Sequence, residues 1–160
     1  MGFGGVMGDT MTRGPRLAVR AVIKRAGRLL IVNAYPGEVS DLWCAPGGGV
    51  ERGESLPDNL RREVFEETGL AVDILDPCLV NEFHDPAGSF HQVDVYFRCT
   101  LLGDAALDHS WQDVDAIVTD RRWVTRSEMA GLRVKPDSLA AVAWEDPDAP
   151  LYDPLEPIIA

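Results

Sequence analysis

The stretch from Gly47 to Leu70 constrains this chain most. Three glycines and a polar loop lead into a helical pattern whose last turns crowd Glu63, Glu66 and Glu67 into "RREVFEETGL". Ser55 followed at the third position by Asp58 resembles a capping box, Pro57 is tolerated in a first turn, and Gly69 suits a left-handed cap. The spacing therefore predicts a helix over 56–68. At 100° per residue Leu56, Leu60 and Val64 form one apolar stripe, and the three glutamates fall beside it, near the edge of the core. Like charges three and four residues apart repel, and carboxylates in a last turn have the wrong sign for the helix dipole. A solvated acidic face is the plain alternative, with Arg62 pairing to Glu66 in the weaker orientation. A divalent cation explains the crowding better, because hard cations prefer carboxylate oxygens and retain waters for a phosphate ligand.

The rest of the chain narrows the partners of such a site. A length of 160 residues, 46% of them apolar, suits one domain with a full core. Fifteen basic residues against 26 acidic ones, net −11, argue against a general affinity for nucleic-acid backbones. Phosphate ligands remain compatible if a metal neutralises the site. Cys44, Cys78 and Cys99 are odd in number and lack zinc spacing, as expected of free thiols in a reducing cytoplasm. No segment has the length and apolarity of a membrane span or a signal core, so a soluble cytoplasmic protein is expected.

Between the ends, the runs 17–24 and 28–34 flank Gly27 and read as a hairpin, and strands are expected at 72–83, 91–102 and 121–125. Val93, Val95, Phe97 and Cys99 alternate as in a half-buried strand. Helical patches at 126–131 and 136–144 complete an α+β domain over residues 16–144. Residues 1–15, with five glycines and no apolar period, read as a flexible extension. Residues 145–160 read as an acidic, proline-rich tail, extended along the surface.

The loop before the helix, "WCAPGGGVERGES", allows close backbone approach to a ligand, yet alone it reads more readily as a turn, and it lacks the lysine of a Walker loop. Joined to the helix it becomes specific. Gly48, Glu54, Arg62, Glu63, Val64, Glu66, Glu67, Gly69 and Leu70 stand at the spacing of the Nudix box, which this stretch resembles in every defining position. The preceding hairpin, Trp43 and Pro46 before the glycines, and the later "RRWVTRSEM" extend the resemblance over residues 16–144.

The resemblance implies a Nudix fold, an α/β/α sandwich with a mixed β-sheet and a catalytic loop-helix-loop. It also implies magnesium- or manganese-dependent hydrolysis of the pyrophosphate in a nucleoside diphosphate linked to X. Glu63, Glu66 and Glu67 would ligate the metal with the Gly47 carbonyl, Arg62 would brace the loop through Glu54, and a box glutamate, here taken as Glu63, would be the general base. Many relatives add a later acid; of Asp113, Asp115 and Asp120, the last is placed best by its nearness to the strand at 121. Glu82, His84, Asp85 and His91 could face the substrate across a hairpin, and Trp43, Tyr35 and Phe90 could stack on a base, although surface and packing roles are commoner. The expected substrate is a small nucleotide, either a nucleoside triphosphate, ADP-ribose or another nucleotide sugar; long nucleic acid and membranes are disfavoured and a homodimer is plausible. The alternative is an inactive Nudix-like module that binds a nucleotide or a protein. A calcium loop and a serine-nucleophile elbow are unsupported by any pattern in the chain.

Overall fold

In the computed structural model, residues 14–160 are described, so the expected N-terminal extension lies almost wholly outside the described residues. Strands β1 (Arg16–Arg25) and β2 (Arg28–Asn33) form the expected hairpin. Its two turn residues, Ala26 and Gly27, both have positive φ, 53° and 76°, as a tight hairpin turn matching strand twist requires. Short strands β3 (Trp43–Cys44) and β4 (Gly47–Gly49) follow, then helix α1 (Leu56–Thr68). Strands β5 (Ala71–His84) and β6 (His91–Leu102) form a second, longer hairpin, followed by β7 (Arg121–Val124) and the short helices α2 (Arg126–Ala130) and α3 (Leu139–Trp144). A last strand, β8 (Leu151–Pro157), ends the order.

The sheet runs β3-β2-β1-β6-β5-β8, with β4 on β1 and β7 on β2. It is mixed: β1/β6 and β5/β8 are parallel and the other pairs antiparallel. Period-2 alternation gives β1 two different faces. Val19, Ala21 and Ile23 pack under Leu60 and Val64 of α1, while Val22 joins Leu79, Met129, Leu139 and Val142 beneath α2 and α3. Helices on both faces make the α/β/α arrangement, and the α1 stripe is the one its spacing predicts.

β5 runs through Pro77 as its expected span of 72–83 requires, with a register shift against β6 there. Two segments differ from expectation. α3 begins at 139 rather than 136, after Pro136 and the N-cap position Ser138. The proline-rich tail is not merely laid on the surface: β8 joins the sheet edge beside β5, where Pro154 and Pro157 cost no ladder bond toward a further strand.

Candidate active site

The Ser55 hydroxyl accepts a hydrogen bond from the Asp58 amide (3.2 Å), starting α1 where the sequence places it, and Gly69 ends the helix at φ 74°. Above this helix the glycine strand β4 lies against β1. A Cβ on Gly47 would overlap the Val19 carbonyl, and one on Gly48 would overlap the Glu63 carboxylate. The glycines are thus required by close packing: they let Glu63 lie flat against the loop. Asn59, fully buried, locks the same junction, donating to the Gly49 carbonyl (3.1 Å) and accepting from the Glu51 amide (2.8 Å).

Arg62 occupies the expected bracing position. Its guanidinium donates to both Glu54 oxygens (2.9 and 3.3 Å), to Glu66 (3.3 Å), to Glu63 (3.4 Å) and to the Asn59 side chain (3.2 Å). The i,i+4 pair with Glu66 is one contact of this fork, which gathers three carboxylates around one cation. Glu63 is largely buried, and burial pushes its carboxyl above the ordinary range; Arg62 opposes the shift, while Glu66 and Asp115 reinforce it. Burial also pushes Glu67 up, to about 8, against the pull of Arg20 and of the Gly47 N–H, which donates to Glu67 Oε1 at 3.1 Å.

The loop before β7 brings an acid beside Glu63 and Glu66, and it is Asp115 rather than Asp120. Asp113 is buried and accepts from the amides of Asp115 (3.2 Å), Ile117 (3.2 Å) and Val118 (2.9 Å), so it shapes the loop. Asn33, at the end of β2, accepts from the amides of Thr119 (2.9 Å) and Asp120 (3.0 Å). The loop so held presents Asp115, which with Glu63 and Glu66 offers carboxylate oxygens all within 4.8 Å of one another. Asp120 instead lies half exposed and pairs with Arg122 (3.5 Å). Proximity in sequence to β7 misplaces it, because the anchored turn, rather than the strand, aims the side chains. All-carboxylate oxygen donors with one arginine between them suit a hard divalent cation such as magnesium or manganese.

The sign problem at the end of α1 has an answer that the sequence left out. Arg121, buried on β7, donates to the Glu67 carbonyl (2.5 Å), and the Trp111 indole donates to the Glu66 carbonyl (2.9 Å). Phe65 meets the Trp111 ring edge-on, centroids 5.1 Å apart. A cation that donates, together with one neutral donor, therefore covers the negative helix end. Below Glu67, Arg20 pairs with the buried Asp94 (3.3 Å), and Gln92 links Asp94 (2.7 Å) to Arg16 (2.6 Å). These residues lie 22 to 51 positions outside the box along the chain, and no local pattern marks them.

One cavity of about 760 Å³ joins Glu63 and Glu67 to the polar face of β1, β5 and β6. Tyr35 and Phe90 line it, as does Asp115. Trp43 does not: it is buried in the core beneath Arg122, whose guanidinium sits 4.7 Å from its ring centre. Glu82, His84, Asp85 and His91 also lie off the lining, because on β5 the cavity takes the alternate residues Asn81 and Phe83. Glu82 instead accepts from the Tyr152 hydroxyl and stands 3.6 Å from His91.

A mixed sheet between helices, with a glycine strand packed on a carboxylate-bearing helix, defines a loop-helix domain with an acidic cluster at its cavity. The chain belongs to the Nudix family: the NUDIX domain family model matches residues 14–148. It is 30% identical over 114 residues to the oxidized purine nucleoside triphosphate hydrolase of Danio rerio, covering 68% of this chain and 72% of that protein. It is 33% identical over 81 residues to nucleoside diphosphate-linked moiety X motif 6 of Mus musculus, covering 51% of this chain but only 26% of that relative. A crystal structure of UDP-X diphosphatase superposes with a TM-score of 0.66 at 18% identity, over 96% of this chain and 76% of the other, which is a likeness of fold. Among the described residues no helix is long and apolar enough to cross a membrane.

Proposed function

We propose that the protein is a divalent-metal-dependent pyrophosphohydrolase of small nucleotides, cleaving the phosphoanhydride of a nucleoside diphosphate linked to a further phosphate, sugar or other group. The observation that carries this reading is the convergence of Glu63, Glu66 and Asp115 within 4.8 Å beside Glu67, at the wall of a cavity. Relatives described as acting on oxidized purine nucleoside triphosphates and ADP-ribose support the nucleotide class. Net −11 supports small over polymeric substrates.

Glu63, Glu66 and Asp115 would hold magnesium or manganese, with Glu67 and the Gly47 backbone alongside. The ion supplies Lewis acidity toward phosphoryl oxygens and a lowered pKa for bound water. The chain does the rest. Arg62 keeps Glu63 and Glu66 apart from each other's charge and ties them to Glu54, so that the carboxylates are already gathered before substrate arrives. Glu63, flat against Gly48, is assigned as the base that takes the proton of the attacking water, a contribution typically worth about 10²- to 10⁴-fold. Arg20, buried and committed to Asp94, sets the field beneath Glu67 without reaching for phosphate itself.

The test is hydrolysis of nucleoside triphosphates, nucleotide sugars and dinucleoside polyphosphates, read by chromatography of the nucleotide products, with magnesium, with manganese and with chelator. Metal-dependent hydrolysis of one class, lost in Glu67→Gln, is expected. Turnover that survives chelation, or that survives Glu67→Gln, refutes the reading. Metal-dependent nucleotide binding without turnover would make the domain a binding module.

A further inference from the structure

The family match ends at residue 148, yet the cavity is also walled by Glu156, Pro157, Ile158 and Ile159. β8 brings this segment alongside β5, and three contacts hold it there. The Ile158 amide donates to the His84 carbonyl (2.8 Å), the Tyr35 hydroxyl to the Ile159 carbonyl (3.0 Å), and Arg133 to the Ala160 carbonyl (2.9 Å). Lys135, itself on the lining, reaches across to Glu156 (3.4 Å).

The floor of the cavity under this wall is a single transverse row of the sheet: Gly49, Ala18, Asp94 and Asn81 are paired successively across β4, β1, β6 and β5. Three strand spacings of about 4.8 Å put Asn81 roughly 14 Å from the glycine strand that receives Glu63. Asn81 is 3% exposed, and its amide nitrogen finds no hydrogen-bond partner among the described residues. A buried amide donor without a partner is costly and calls for an acceptor from outside. Beside it Phe83 and Phe90 form a tilted aromatic pair, centroids 6.0 Å apart. The cations here are already engaged, Arg16 with Gln92 and Lys135 with Asp137 and Glu156. This end therefore suits a neutral, planar, hydrogen-bonding group rather than another phosphate.

We propose that the C-terminal segment Glu156–Ile159, Asn81 and the Phe83/Phe90 pair form a nucleobase subsite, so that a segment outside the family match selects the nucleotide. This rests on the pyrophosphohydrolase reading for its substrate, but the subsite can be probed without turnover.

Two variants test it, Asn81→Leu and the double Ile158→Gly with Ile159→Gly, each first shown to keep the parental melting cooperativity. Binding of nucleoside monophosphates is measured by calorimetry, and kcat and KM are measured for nucleotides and for ribose 5-diphosphate, which lacks a base. Each variant is expected to raise the monophosphate Kd and the nucleotide KM roughly tenfold, the scale of one lost contact to a buried polar group. KM for the base-free diphosphate should move less than twofold, and Asn81→Leu should also change the ranking among bases. Equal losses on base-containing and base-free substrates, or an unchanged monophosphate Kd in both variants, overturn the proposal. If no substrate is hydrolysed by the parental protein, the function fails, while base-selective monophosphate binding lost in the variants still upholds the subsite.

Discussion

Glu67 shows how a single residue carries opposing demands. Its carboxylate is buried beside Glu63 and is pushed up to about 8, with Arg20 and the Gly47 N–H opposing the shift. A carboxyl whose folded value exceeds its unfolded value binds its proton more tightly when folded, so its contribution favours the fold at low pH and is lost as pH rises. The window runs from the unfolded value near 4.5 up to about 8. The metal-free protein should therefore lose thermal stability from pH 5 to pH 8, and a pH series of melting curves reads this directly. Glu67→Gln keeps an acceptor for the Gly47 amide and removes the titration. Its metal-free melting temperature should be flatter over the same range and higher at pH 8, while metal-dependent turnover is lost. A variant as steep as the parent would assign the pH dependence elsewhere.

At the scale of elements, α1 is held partly by its own Asn59 and partly by side chains that its own sequence does not contain. Asn59 satisfies two backbone groups of the loop, and Arg121 covers the Glu67 carbonyl at the helix end. Asn59→Ala leaves the Glu51 amide and the Gly49 carbonyl without that partner, at about 1–3 kcal/mol for each buried group. Denaturant unfolding should show a loss of about 2–6 kcal/mol with an unchanged m-value. Arg121→Met removes a charged hydrogen bond worth about 1.5–3 kcal/mol and should destabilise by that amount, with weaker magnesium binding as the helix end frays. What the sequence disclosed follows from the range of each interaction. The α1 limits were legible because Ser55, Pro57 and Gly69 act within a turn of themselves, and the hairpin β1/β2 because Gly27 sits between two apolar runs. Arg121, Trp111 and Arg20 were not, because their partners lie on other elements and nothing at i±4 announces them. β8 was missed for a different reason: prolines and acids weigh against a strand unless it is an edge, and only the sheet order makes it one.

For the whole molecule, the same acidic cluster that identifies the site is a liability in a chain of net charge −11, and a bound cation should return stability globally. A ligand at one hundred times its Kd adds about 2.7 kcal/mol when it binds only the folded state. For a domain of this size each kcal/mol moves Tm by about 2–4 °C, so saturating magnesium should raise Tm by about 5–10 °C. Monovalent salt at matched ionic strength screens exposed charges but cannot fill the cluster, so it should reproduce only a small part of the shift. The choice between the two loop acids then becomes a measurement on the intact protein. Asp115 stands with Glu63 and Glu66, whereas Asp120 is engaged by Arg122 on the surface. Asp115→Asn should remove much of the magnesium-dependent rise, and Asp120→Asn should leave it within about 1 °C, as expected for an exposed pair worth under 1 kcal/mol. The reverse result would return the metal to the acid nearer β7, and would require the loop held by Asp113 and Asn33 to rearrange when the ion binds.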